Sequence, residues 1–254
     1  MMLPTYHFLG MRVQPMTNKD VLDTIERIVA APAKNSILGN HNLHSLYLLQ
    51  RTPLMQRFYQ ENTYTHVDGM SMVLLGQLLG IPLTRDHRTT YLNWFEDFLR
   101  MAAEKHWRIY FIGGPQSMID LIPDTLLPRF PGLQLRAHHG FDEIAARTTV
   151  YKEIEEFQPH VILSGMGMPR QERWILEARN HITTHVFLPC GAALEYLMGL
   201  QKAPPRWIGQ LGFEWLYRLL TRPKTLYRRY LIEPLFLMPS ILREFTRRKP
   251  LVEQ

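Results

Sequence analysis

Residues 161–174 read VILSGMGMPRQERW, an apolar strand that runs into a glycine-rich turn and then a helix opening with Arg170, Gln171 and Glu172. A strand passing so directly through a turn into a helix points to an α/β arrangement. It also sets backbone N–H groups and three long polar side chains at one strand end, where open α/β sheets hold their ligands. The turn is not the dinucleotide fingerprint: Gly165 and Gly167 are followed by Met168 and Pro169, and no third glycine opens the helix. It suits a phosphate or a sugar, although by itself a tight turn with a solvated helix start accounts for it equally well.

The same strand–turn–helix pattern recurs along the chain. Val21, Ile25, Ile28 and Val29 give one helical face over Asn18 to Ala31, with Thr17 placed to cap it. Ser36 to Gly39 reads as a strand ending at Asn40, before a helix marked by Leu43, Leu46, Tyr47 and Leu48. Thr65 to Val67 ends a second strand at Asp68-Gly69, followed by an apolar helix from Met70 to Leu79. Further strands are expected at Trp107 to Ile112, Leu133 to His138, Val161 onward and Thr184 to Leu188, with a helix over Thr148 to Phe157. Alternation of this kind implies right-handed crossovers, hence an α/β, Rossmann-like, mostly parallel sheet with helices on both faces. That catalytic domain is expected to cover residues 1–200.

After Gly199 the composition changes. Helices are expected over Trp207 to Leu220 and Thr225 to Leu237, separated by Pro223, with a third, short one from Pro239 to Arg248. From Lys202 to Lys249 eleven Lys and Arg face three Glu, a net +8 that leaves −2 for the rest of a chain whose total is +6. Confining the cationic surface to the last fifth argues for a dedicated anionic partner: phospholipid, nucleic acid or a diphosphate substrate. Leucines interleave with these arginines as in a basic amphipathic element lying on a bilayer, so residues 201–254 are expected to be a helical membrane-associating appendage. The alternative is that the apolar residues pack on the α/β core and only the arginines meet water. The single cysteine, Cys190, excludes an internal disulfide and fits a reducing compartment. Neither a secretion signal nor a stretch of roughly 20 apolar residues is apparent, so a cytoplasmic protein, peripheral on the membrane, is expected.

Polar residues at expected strand ends are Asn40, Asp68, Gln171 and Glu172, with Arg88 and Thr90 on the loop after Pro82. A parallel sheet brings successive strand ends to one edge, so these groups are candidates for one cleft. Asp68 is the candidate general base, able to take a proton from an incoming hydroxyl while Arg88 and the C-terminal arginines stabilise a departing phosphate. From composition alone, a lone aspartate before a helix is more readily a turn or cap residue. The histidines give no metal site by pattern: His41 and His44 lie three apart, His138 and His139 are adjacent, and there is no HExxH or cysteine pair. A GxSxG elbow and a P-loop are also missing.

Taken as a set, ILGNHN at 37–42, HVDG at 66–69, HRTTYLNW at 87–94, FIGG at 111–114, GMGMPRQERW at 165–174 and LGFEWLYRLLTRPKTLYRRY at 211–230 resemble the WecG/TagA/CpsF glycosyltransferase family. The resemblance covers nearly the whole chain. It implies an inverting transferase that moves a sugar from a UDP-sugar donor to a polyprenyl-diphosphate-linked saccharide acceptor at the inner membrane face, with no metal or other cofactor. It also implies Asp68 as base and a substrate site of Asn40, Arg88, Thr90, Gly165, Gly167, Gln171 and Glu172, closed by Arg218, Arg228 and Arg229. Leu38 stands where many members have threonine, Glu195 where aspartate is common, and Lys202 for an arginine. Arg222 stands for a glutamate and Asn93 for an aspartate. The HRTTY loop is more similar to exopolysaccharide members than to teichoic-acid ones, so exopolysaccharide assembly is expected. A homo-oligomer shielding apolar surface beside the appendage is compatible with this. The rival from another class is an α/β protein that binds nucleic acid through the cationic segment; it gives Asp68 and Gln171 no role and carries no nucleic-acid motif.

Overall fold

The computed structural model describes residues 3–140, 147–246 and 251–253. The chain opens with an antiparallel hairpin, β1 (Thr5–Phe8) and β2 (Met11–Val13), which the strand–helix alternation does not announce. Helix α1 (Asn18–Ala30) has the expected form: Val21, Ile25 and Val29 are buried, and Thr17 closes a reciprocal capping box with Asp20. Then come β3 (Ser36–His41), α2 (Leu43–Leu49), α3 (Pro53–Glu61), β4 (Tyr64–Val67), α4 (Met70–Leu78) and α5 (Tyr91–Glu104). The second half continues with β5 (Arg108–Gly113), the short helices α6 (Gln116–Ile119) and α7 (Ile122–Thr125), β6 (Gln134–His138), α8 (Arg147–Phe157), β7 (Val161–Gly165), α9 (Arg170–Ala178), β8 (Val186–Pro189) and α10 (Ala193–Leu197).

Six strands form one parallel sheet in the order β4-β3-β8-β7-β5-β6, helices covering both faces, as the alternation predicts. Side chains alternate across it with the period of two that a strand imposes. Tyr110, Ile112, Ile162 and Phe187 enter a core shared with residues of α2, α3, α8 and α9, whereas Ile109, Phe111, Leu163 and Leu188 enter one built from α1, α5 and α10. The second core is dominated by the aromatic face of α5, where Trp94 and Phe98 are fully buried. Because all six strands are parallel, their C-terminal ends share one edge.

The C-terminal segment differs in detail from expectation. It comprises α11 (Arg206–Leu211), α12 (Glu214–Thr221), α13 (Pro223–Tyr227), one π-helical turn at Arg228–Ile232, and α14 (Glu233–Thr246), and a final strand β9 (Leu251–Glu253) pairs antiparallel with β1. Pro223 starts α13 instead of merely separating helices, since a proline at the first helical position gives up an N–H that would have no partner there. Pro239 lies inside α14 and does not begin a separate helix. The turn around it is held by packing: Leu237 is fully buried, Ser240 donates to the Leu237 carbonyl (2.8 Å), and Gln50, just past the end of α2, donates to the Ser240 hydroxyl (3.0 Å). The expected end of that third helix, at Arg248, lies outside the described residues.

Candidate active site

The register of β3 on β4 sets Asn40 opposite His66 and His41 opposite Val67, so the residues just beyond both strands come out side by side. The Asp68 N–H donates to the His41 carbonyl (2.8 Å). Two amides then orient the Asp68 carboxylate: Asn40 Nδ2 at 3.3 Å and Asn42 Nδ2 at 3.2 Å, both on Oδ2, which leaves Oδ1 outside this pair of bonds. The end of β3 is itself braced from below, where the Tyr59 hydroxyl donates to the Asn40 carbonyl (2.7 Å) and the Tyr59 ring stacks on His41 at 3.8 Å. Burial holds His41 and His66 neutral, pushed down to about 3 and about 4, so neither brings charge to the aspartate.

Asp68 lies where two clefts meet. The first, about 860 Å³, runs between α4 and the C-terminal helices and is lined by Leu43, Met70, Arg88, Trp215, Arg229 and Pro234 among others. The second, about 1060 Å³, runs along the ends of β7 and β8 and is lined by Asn40, Thr90, Gly167, Gln171, Gly191 and Tyr196 among others. Asp68, Asn42, His44, Arg218, Arg229 and Tyr230 border both. Side chains far apart in sequence therefore gather at one sheet edge, with Asp68 and Gln171 on the same cleft.

The glycine block builds the floor of the second cleft. A Cβ on Gly165 would stand 2.6 Å from the Phe111 ring and 2.9 Å from the Gly191 carbonyl, so only glycine lets the β8 turn pass over β7. Gly165 thus shapes the cleft without lining it, and Gly167 lines it. Gln171 is fixed at both ends of its amide: its oxygen accepts from the Gly191 N–H (3.1 Å) and its nitrogen donates to Glu172 Oε1 (2.8 Å). Glu172 does not line either cleft; it is fully buried beneath Gln171, with Oε2 lacking a partner, and burial pushes its carboxyl up to about 7.

The C-terminal helices close the site through two polar contacts, one of them an ion pair, that the sequence does not announce. The buried Arg88 guanidinium pairs with Glu214 of α12, and His44 Nδ1 lies 2.6 Å from Glu233 of α14. Burial, and then the nearby Arg229 cation, lowers His44 from its ordinary value, against the opposing pull of Glu233. Gly209 makes the first pair possible, because a Cβ there would lie 2.5 Å from Arg88 Nη2 and 2.6 Å from Glu214 Oε1. Arg218 stands over the Tyr196 ring at 5.4 Å, its buried Nε is unpartnered, and the residue lines both clefts. Arg228 is exposed and lines neither cleft. Among the described residues no three of His, Cys, Asp or Glu converge closely enough to hold a metal ion.

The sequence model of the Glycosyl transferase WecG/TagA/CpsF family matches residues 6–250. The chain belongs to this family. Curated proteins similar to it include those from Staphylococcus aureus strains NCTC 8325 and MRSA252, each named N-acetylglucosaminyldiphosphoundecaprenol N-acetyl-beta-D-mannosaminyltransferase. Each is 26% identical over 213 residues, which is 80% of this chain and 80% of the relative. This WecG/TagA/CpsF glycosyltransferase thus has its carboxylate and its cationic side chains at one sheet edge, under a helical cover. Of the residues expected at the site, Asn40, Asp68, Arg88, Thr90, Gly167, Gln171, Arg218 and Arg229 line the clefts; Asn42, His44 and Glu214, which also line them, and Glu233, which meets His44, are not among those expected. Of these, Glu214 carries a sequence signal, since it lies within the GFEWLYR block, whereas His44 and Glu233 stand 189 residues apart and only packing pairs them.

Proposed function

We propose that this protein transfers a hexose or N-acetylhexosamine from a UDP-sugar to a saccharide carried on a polyprenyl diphosphate, with inversion and with Asp68 as general base, in the assembly of a cell-surface polysaccharide. The observation that carries the reading is the position of Asp68, a carboxylate oriented by two asparagine amides where two clefts meet. The donor occupies the second cleft, which Asn40, Thr90 and Gly167 line and whose floor Gln171 holds in place, and the acceptor saccharide enters through the more apolar first cleft. As the acceptor oxygen bonds to the anomeric carbon, the bond from that carbon to the diphosphate breaks. The hydroxyl proton passes to Asp68, and UDP departs toward Arg218 and Arg229. The acceptor class follows the names of the relatives, which act on an undecaprenol-linked N-acetylglucosaminyl diphosphate.

A lipid-borne acceptor requires the enzyme to reach a bilayer. No helix of the described residues is long and apolar enough to cross one. In our reading helices α12 to α14 lie on the anionic inner face instead: Leu220, Leu235, Leu242 and Phe245 are exposed among the bases of these helices, and each base near an anionic surface contributes on the order of 1 kcal/mol. The test is a panel of UDP-sugars with a short-chain lipid diphosphate N-acetylglucosamine, run with intact protein and with Asp68→Asn. One sugar should be turned over, and the variant should lose about 100-fold or more in kcat, the usual worth of a positioned base. Undiminished turnover by Asp68→Asn removes Asp68 from the chemistry.

A further inference from the structure

Helix α4 is out of keeping with a solvated surface. From Gly69 to Thr84 the sequence GMSMVLLGQLLGIPLT contains no charged residue, and Ser71 and Gln77 are the only polar residues on the helix, whereas a solvated helix face is ordinarily charged or polar. Met70, Met72, Val73 and Leu75 are buried, yet on the outer side Leu74 is 57% and Leu78 59% exposed. Ser71, Leu74 and Leu78 follow the i, i+3, i+7 spacing of a single stripe. The stripe begins inside the first cleft, which Ser71 lines, and runs outward from it. At its inner end Gly212 sits so close to Met70 that a Cβ would lie 3.0 Å from Met70 Cγ, and the neighbouring Trp207 and Phe213 are exposed.

We propose that α4 is a second lipid-contacting element, which enters the acyl boundary beside the first cleft while the basic C-terminal helices hold the headgroups. This rests on the lipid-borne acceptor proposed above. The occupant is lipid for two reasons. The stripe starts at Ser71, which lines the cleft that takes the acceptor, so a polyprenyl chain leaving that cleft has an apolar path along it. Two leucines on a nine-residue helix are also too little for a second copy of the chain, since a stable protein interface takes roughly 800 Å² per partner.

The test uses the full chain with Leu78→Cys carrying an environment-sensitive fluorophore. Cys190 is the only native cysteine and is buried, so labelling is selective. With vesicles of phosphatidylcholine and phosphatidylglycerol the label should brighten, shift to the blue and be quenched by nitroxide-bearing lipids, as should a control label at Leu242→Cys on α14. The Leu74→Gln/Leu78→Gln double variant, altered only at exposed positions, should partition into the vesicles about 10-fold less well while transferring sugar normally to a short-chain acceptor in solution. A label at residue 78 that stays aqueous while the one at 242 enters lipid overturns the proposal. So does a residue 78 label that brightens with protein concentration without vesicles, which assigns the stripe to a second copy. Vesicle binding by neither label overturns it as well, and the soluble-acceptor assay reports separately on whether sugar transfer itself is correctly assigned.

Discussion

Replacing Glu172 with glutamine should make the protein more stable, and only at high pH. The carboxyl is fully buried, accepts one bond from Gln171 Nε2 on Oε1, and leaves Oε2 without a partner. Burial raises it from 4.5 to about 7 in the folded state. A carboxyl raised on folding holds its proton in the native state while the unfolded chain has lost it, so stability falls as pH rises from about 4.5 to about 7 and stays reduced above. At about 1.4 kcal/mol for each pH unit between those values, ionising it in place costs about 3 kcal/mol. Glutamine keeps the acceptor for Gln171 and cannot ionise. Any packing cost, or any cost of its own unpaired amide, is the same at every pH. Urea unfolding of Glu172→Gln and the parent should therefore differ by about 3 kcal/mol more in favour of the variant near pH 8.5 than near pH 4.5, with most of the change between pH 5 and 7. A difference in stability that does not vary with pH would refute the argument, since desolvation of the carboxylate would then not be what sets the ionisation of this group.

Glu214→Gln removes the partner of a buried guanidinium and should cost about 3 kcal/mol in denaturant unfolding; adding Arg88→Gln to it should restore part of that loss, whereas additive losses would mean the pair is not coupled. Gly209→Ala should cost about 1–3 kcal/mol and lower turnover, because its methyl occupies the space of the Arg88–Glu214 contact; normal stability and activity would show that the contact is dispensable. His41 and His66, held neutral by burial, should make the fold lose stability as pH falls below about 6.5, their ordinary value, toward the folded values of about 3 and about 4. Thermal midpoints taken between pH 7 and pH 5 read this out, and a variant with both histidines replaced should show a shallower fall.

Much of this molecule is determined locally. Period-two apolar runs such as Val161–Gly165, each followed by a turn and a helix of period 3.6, leave a parallel sheet covered on both faces as the way to bury both patterns, and Thr17 with Asp20 fixes the start of α1 within a single turn. Parallel strands then deliver their ends to one edge, which is why Asn40, Asp68 and Gln171 could be named from sequence as neighbours. The N-terminal hairpin and its pairing with β9 were not legible, because two strands of three and four residues carry too little alternation and their third partner lies at the other end of the chain. Nor could Pro239 be placed inside α14, where the burial of Leu237 outweighs a local breaker. What only the tertiary structure decided is how the cover meets the core. Glu214 on Arg88 and Glu233 on His44 join residues more than a hundred positions apart through contacts that no periodicity encodes, and the burial that pushes Glu172 up toward neutrality exists only once both faces of the sheet are packed.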